Sequence, residues 1–186
     1  MDRRQSLGLL GSGIAALAWA RQSQATTARA ISLPNLVQHS SRVVRGTPMD
    51  SFTRGEDVGG TRHIVTYSRV RVEELLTGGP SESEILVRSL GGQLDGVGEI
   101  VHGEAELAIA EPSVIFLRSN ADGIEHVTAM AQGYYPLLLR TAAAPRLRAS
   151  RNLPRLLPGV PGASAVERLS GAGLDEARQL ILGARR

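Results

Sequence analysis

Apolar and charged positions alternate through the stretch 69–73: Val70 and Val72 fall on one side, Arg69, Arg71 and Glu73 on the other. That period of two marks a half-buried β-strand, because successive side chains leave a strand on opposite faces. Just upstream, Ile64, Val65 and Tyr67 put apolar groups on both faces, as in a strand that bends into a closed sheet. The pattern predicts a long strand over 62–77. Thr77-Gly78-Gly79-Pro80 ends it, since glycine permits positive φ and proline lacks a ladder donor. Shorter strands are predicted at 42–46, 84–90, 114–117, 126–131 and 134–139. Val114-Ile115-Phe116-Leu117 shows no alternation, as a strand buried on both faces does not. Residues 100–102 and 105–110 are further extended candidates, and 47–62 reads as a long polar connection. Asn120-Ala121-Asp122-Gly123 is a turn signal.

Two segments carry helical spacing instead. At 32–40, Leu33, Leu36 and Val37 share a face and Ser32 is placed to cap the free N–H groups. At 174–182, Leu174, Ala177, Ile181 and Leu182 share a face, with Asp175 and Glu176 at the start and Arg185 and Arg186 past the end, the polarity that suits the helix dipole. Between 140 and 162 the chain changes character: five arginines and four prolines, with no acid between Glu125 and Glu167. This tract reads as a linker wrapping the domain.

The first thirty residues pair Arg3 and Arg4 with a weakly apolar run over 7–20, too short for a membrane span. The segment resembles the twin-arginine export signals of bacteria, with Ser6 where an aromatic is usual. Small residues at the recognised positions allow cleavage after Ala20, Ala25 or Ala30. The division expected is therefore a signal peptide at 1–30, a β-domain at 31–139, the linker at 140–162 and a helical segment at 163–186. The location expected is periplasmic or secreted, with membrane contact only through the signal.

Composition narrows the chemistry. The chain has no Cys, which excludes disulfides, thiolate metal sites and thiol catalysis. It has no Lys either; all 21 basic residues are Arg, the mark of a coding bias. Without residues 1–25 the balance falls to 18 Arg against 17 acids, which gives no general pull towards nucleic acid. Past the signal only Phe52, Tyr67, Phe116, Tyr134 and Tyr135 are aromatic, too few for base-stacking platforms. No G-x-S-x-G and no H-E-x-x-H occurs, and Gly96-Val97-Gly98 lacks the third glycine of a nucleotide loop. No catalytic residue, resident metal or cofactor is assigned.

Two candidate sites stand out. Glu99, His102, Glu104 and Glu106 form the densest polar cluster, with His102, Glu104 and Glu106 on one face of an extended chain. Such a set serves a metal or acid–base chemistry, or is the solvated face of an edge strand. Tyr134-Tyr135 beside Gly133 is either a binding patch or core, and at most one of the two rings faces out.

The order of elements then points to a family. Val43-Val44-Arg45-Gly46 opens, Val70-Arg71-Val72-Glu73-Glu74-Leu75-Leu76-Thr77-Gly78 gives V-x-V-E-x-L-x-x-G, and strands ending at Gly91-Gly92 and covering 114–117 follow. Over 36–139 this resembles the five-stranded OB barrel of netrin-like modules and tissue inhibitors of metalloproteinases. The resemblance implies a closed β-barrel. It does not carry the inhibitory mechanism, which uses an N-terminal cysteine and disulfides. The fold expected is mainly β: a five- to six-stranded antiparallel OB-like barrel with a short N-terminal and a C-terminal helix. The function expected is a non-enzymatic binding or accessory module for an exported protein partner. The alternative is a metal-dependent or acid–base hydrolase using His102, Glu104 and Glu106.

Overall fold

Two long strands dominate the computed structural model, which describes residues 27–185 apart from 81, 121, 122, 141, 142 and 160. The arginine pair, the apolar run and the cleavage candidates at Ala20 and Ala25 lie outside the described residues, as do the central residues of the Asn120 turn. In chain order the elements are β1 (Thr27–Arg29), α1 (Leu33–Gln38), β2 (Arg42–Val58), β3 (Thr61–Gly78), β4 (Glu84–Leu90), β5 (Gly92–Leu94), β6 (Val97–Glu99), β7 (Ser113–Ser119) and β8 (Glu125–Val127). A 3-10 turn (Met130–Gly133), β9 (Tyr134–Arg140), β10 (Ala143–Leu147), β11 (Arg155–Leu157), α2 (Ala165–Leu169) and α3 (Leu174–Ala184) complete it.

The polar stretch expected to be a connection is not one. It forms the far half of β2 and the start of β3, joined by Gly59-Gly60 alone. Both glycines have positive φ, 60° and 83°, the requirement of a two-residue hairpin turn whose twist matches its strands. The stretch is polar because this end of the hairpin meets solvent on much of its surface, not because it lacks partners.

The sheet runs β10-β9-β7-β2-β3-β4-β8, and β8 also pairs with β7. That last pairing partly rings the sheet, with β7, β2, β3, β4 and β8 following one another round. The mainly β class and the two flanking helices stand. The strand count is corrected to seven in this sheet, and the all-antiparallel expectation to a mixed one, because β4 and β8 run parallel. The tract at 140–162 contributes β10 and β11: β10 pairs with β9, and β11 runs parallel to β1. The run at 105–110 forms no strand and ends in a turn, with Ala110 at φ 62°.

Two apolar clusters lie on opposite faces of β2 and β7, and adjacent residues divide between them. Val44, Ile115 and Leu117 join Val70, Ile85, Val87 and Val127 on the inner face of the ring. Val43, Val114 and Phe116 turn the other way, onto Leu33 and Leu36 of α1, Leu169 of α2 and Ala177 and Ile181 of α3. This double duty is why 114–117 is apolar without alternation. The short helix α2 lies within the helical segment expected at 163–186, and Ser164 and Glu167 form a capping box whose Ser-x-x-Glu spacing is visible in the sequence.

One end of the ring is closed by charge. Arg42 Nη2 donates to Glu125 Oε1 at 2.9 Å, with both side chains buried. Ser119 Oγ donates to the same oxygen at 2.7 Å, and Arg42 Nη1 donates to the more exposed Glu82 at 2.8 Å. Among the described residues no helix is long and apolar enough to cross a membrane.

Candidate functional site

The opposite end of the ring is polar and open. Along β3 the inner face changes from Val70 to Ser68 and Thr66, and along β4 from Val87 to Ser89. On β2, Ser51 and Thr53 lie directly across from Ser68 and Thr66. The register shift between Pro48 and Asp50 is the bulge that re-aims this half of β2. These five hydroxyl residues line a cleft of about 540 Å³.

Its other wall is irregular chain held by specific hydrogen bonds. Thr66 Oγ1 donates to the Gly91 carbonyl and Thr53 Oγ1 to the Gln93 carbonyl, each at 2.7 Å. A Cβ at Gly92 would sit 2.5 Å from Thr66 Oγ1, so only glycine lets β5 approach so closely. Asn152 Nδ2 donates to the carbonyls of Glu104 and Val101, which pins the strap at 101–107. Ala105 and Leu107 of that strap then cover the apolar cluster inside the ring. Ser68 is 2 % exposed and Ser89 8 %, and both line the cleft. Both are largely buried polar residues on the inner face of the ring.

Three carboxylates line it, and no arginine does. Glu99 is committed: His63 Nδ1 donates to one oxygen and the Ile64 N–H to the other, both at 2.6 Å, and these bonds hold its carboxyl below the ordinary range. Glu104 is half-buried, and no side chain among the described residues donates to it. Burial pushes its carboxyl up, offset in part by the Ala105 N–H and by the charges of Arg118 and Arg88. Glu106 is exposed at the rim.

Of the residues singled out in the sequence, the structure therefore brings Glu99, Glu104 and Glu106 to one cleft and leaves His102 exposed outside its lining. No group of three metal-ligating side chains converges among the described residues. Tyr134 and Tyr135 point to opposite faces of β9, as alternation requires, and both are buried. Tyr134 joins the cluster inside the ring and Tyr135 the one under the helices. The hydroxyl row was missed.

A second polar constellation covers the outer face of the hairpin. Phe52 stacks on Tyr67 with centroids 5.2 Å apart, and the Arg54 guanidinium lies 4.6 Å from the Tyr67 ring centre. Tyr67 Oη and both Nε and Nη2 of Arg88 donate to Glu56. Burial alone raises the Glu56 carboxyl, but the bonds from Tyr67, Arg88 and Arg54 outweigh it and hold the group at about 2, against 4.5 ordinarily. A depressed carboxylate stabilises the fold above its unfolded value, and that contribution is lost as pH falls through the folded one. Chemical denaturation from pH 6 to pH 2 is expected to show stability falling below about 4.5. Glu56→Gln is expected to flatten that decline; an unchanged slope counts against the assignment.

No protein-family model matches the chain, and no curated protein matches it in sequence.

Proposed function

We propose that this protein is an exported, non-enzymatic binding or accessory module, built on an OB-like barrel, that receives a protein partner in the hydroxyl-lined cleft. The observation that carries the reading is the row of five hydroxyl residues, with Ser68 and Ser89 the most buried of them, beside a wall pinned by Thr53, Thr66 and Asn152. A preformed concave site with a few convergent polar groups is what a ligand completes. The lining supports a polypeptide over nucleic acid: hydroxyls and main-chain groups suit peptide amides, while phosphate calls for arginine and bases call for exposed aromatic faces. The path of the ring, a β2-β3-β4 meander closed by β8 and β7 through one parallel pair, supports the OB-like description and the netrin-like resemblance at the level of fold.

The test is affinity capture from an envelope extract, comparing the wild type with Ser68→Val. One stoichiometric partner, reduced at least about fivefold by a variant of matched stability, is the expected result. Failure of the wild type to retain any partner sinks the proposal. The hydrolase reading keeps Glu104 and Glu106 at the cleft but loses His102 from it; turnover abolished by His102→Ala would restore it.

Export by the twin-arginine-like signal is part of the same proposal, and β1 bears on where the signal ends. Cleavage after Ala30 removes β1, which pairs with β11 over Thr27, Ala28 and Arg29. It also removes the Ala30 N–H that donates to the Leu157 carbonyl at 2.9 Å. Cleavage after Ala25 keeps all of this. Cleavage after Ala20 keeps it too, so intact-mass analysis of the exported form is expected to place its first residue at Arg21 or Thr26; a start at Ile31 overturns this choice.

A further inference from the structure

The charge of the cleft narrows what enters it. Glu99, Glu104 and Glu106 line it with no arginine among the lining residues. Glu99 has both oxygens occupied by His63 and Ile64. Glu104 has no donor side chain among the described residues, although it is half-buried. The Ala105 N–H and the charges of Arg118 and Arg88 offset only part of the cost of withdrawing this carboxylate from water. Ser68 and Ser89, residues each more than nine-tenths buried, add acceptor oxygens to the lining of the same space. The combination of one carboxylate without a side-chain donor and neutral acceptors suits a group that is all donor and positively charged.

We propose, on the footing of the protein-partner reading above, that the cleft receives a single lysine or arginine side chain from an extended segment of the partner, with Glu104 meeting the cation and Ser68 and Ser89 accepting its remaining N–H bonds. Glu106 at the rim steers the cation in from solvent. The volume of about 540 Å³ holds one long side chain and its flanking main chain. The lining contains no aromatic residue, so recognition runs through the charge and the N–H groups and not through a cation–π cage.

The full-length protein, labelled with ¹⁵N, is titrated with four blocked pentapeptides of alanine carrying Lys, Arg, norleucine or Glu at the centre. The Lys or Arg peptide is expected to shift the amide signals of Gly91, Gly92 and Ala105 and to bind at least about tenfold more tightly than the norleucine peptide. Glu104→Gln is expected to erase that preference while raising the unfolding midpoint, a pairing that a merely structural carboxylate does not give. Equal binding of the norleucine or Glu peptide, or no shift with any of the four, overturns the inference.

The two proposals fail separately. A partner captured equally by wild type and Glu104→Gln, yet lost by Ser68→Val, sinks the cation and leaves the protein-partner reading standing. A Lys-selective cleft in a protein that captures no partner supports the cation and sinks that reading.

Discussion

Replacing Arg42 with methionine is expected to lower the free energy of unfolding by about 3–5 kcal/mol, measured by chemical denaturation. Arg42 enters the closed end of the ring on the same face of β2 as Val44, and its guanidinium meets Glu125 with both side chains out of solvent. Removing one partner leaves the other charge buried and uncompensated, with only the Ser119 hydroxyl bonded to Glu125. The double variant Arg42→Met, Glu125→Leu is expected to regain most of the loss. The pair is imperfectly satisfied, since Arg42 Nε and Glu125 Oε2 are buried without partners, and apolar side chains of similar volume serve such a site nearly as well. Glu82→Ala is expected to cost less than about 1 kcal/mol, because that carboxylate is largely in water. A cycle in which Arg42→Met and Glu125→Leu simply add would show that the two charges are not coupled. The loss is large against a stability of about 5–15 kcal/mol for a whole domain.

How much of this is legible in the sequence depends on which physical signal each feature uses. The strands at 62–77, 84–90, 114–117 and 134–139 announce themselves through apolar periodicity, because their inner faces are apolar for most of their length. The far half of β2 does not, since Thr53, Arg54, Glu56 and Asp57 make it look like a loop. Yet the two-residue signal Gly59-Gly60 was present. Pairing outward from that turn puts Val58 opposite Thr61, and the same register puts Thr53 opposite Thr66 and Ser51 opposite Ser68. The hydroxyl row is thus written in the sequence as turn chemistry plus register, and not as hydrophobicity. Glu104 and Glu106 were visible as a polar cluster, and the cleft contains them. Their company was not visible: the strap at 101–107 is placed by Asn152, from β11's side of the chain, and by Ala105 and Leu107 packing into the ring. The buried pair of Arg42 with Glu125 joins positions 83 residues apart, and no local period reveals it. The β8 pairing that rings the sheet is likewise a property of the assembled strands.

Tyr135 gives the sharpest separation between packing and binding. Its ring is fully buried and meets Phe116 edge-on, with centroids 5.9 Å apart and planes at 69°. Around it lie the apolar faces of α1, α2 and α3. Tyr135→Ala is therefore expected to cost about 3–5 kcal/mol, since it removes a large side chain from a cluster shared by the three helices and the sheet, which close on the space only partly. Tyr135→Phe is expected to do the reverse on a smaller scale. The hydroxyl is buried without a partner, and burial alone pushes its ionisation far up, so removing it relieves a desolvated donor. The phenylalanine variant is expected to match or exceed the wild type by up to about 1 kcal/mol in denaturation and to retain any captured partner in full. A hydroxyl that binds a partner behaves otherwise: Tyr135→Phe then leaves stability unchanged and weakens capture. Read on the same samples, Ser68→Val and Tyr135→Phe place the recognition surface at the cleft or under the helices, because each deletes one buried hydroxyl and the two face opposite sides of the sheet.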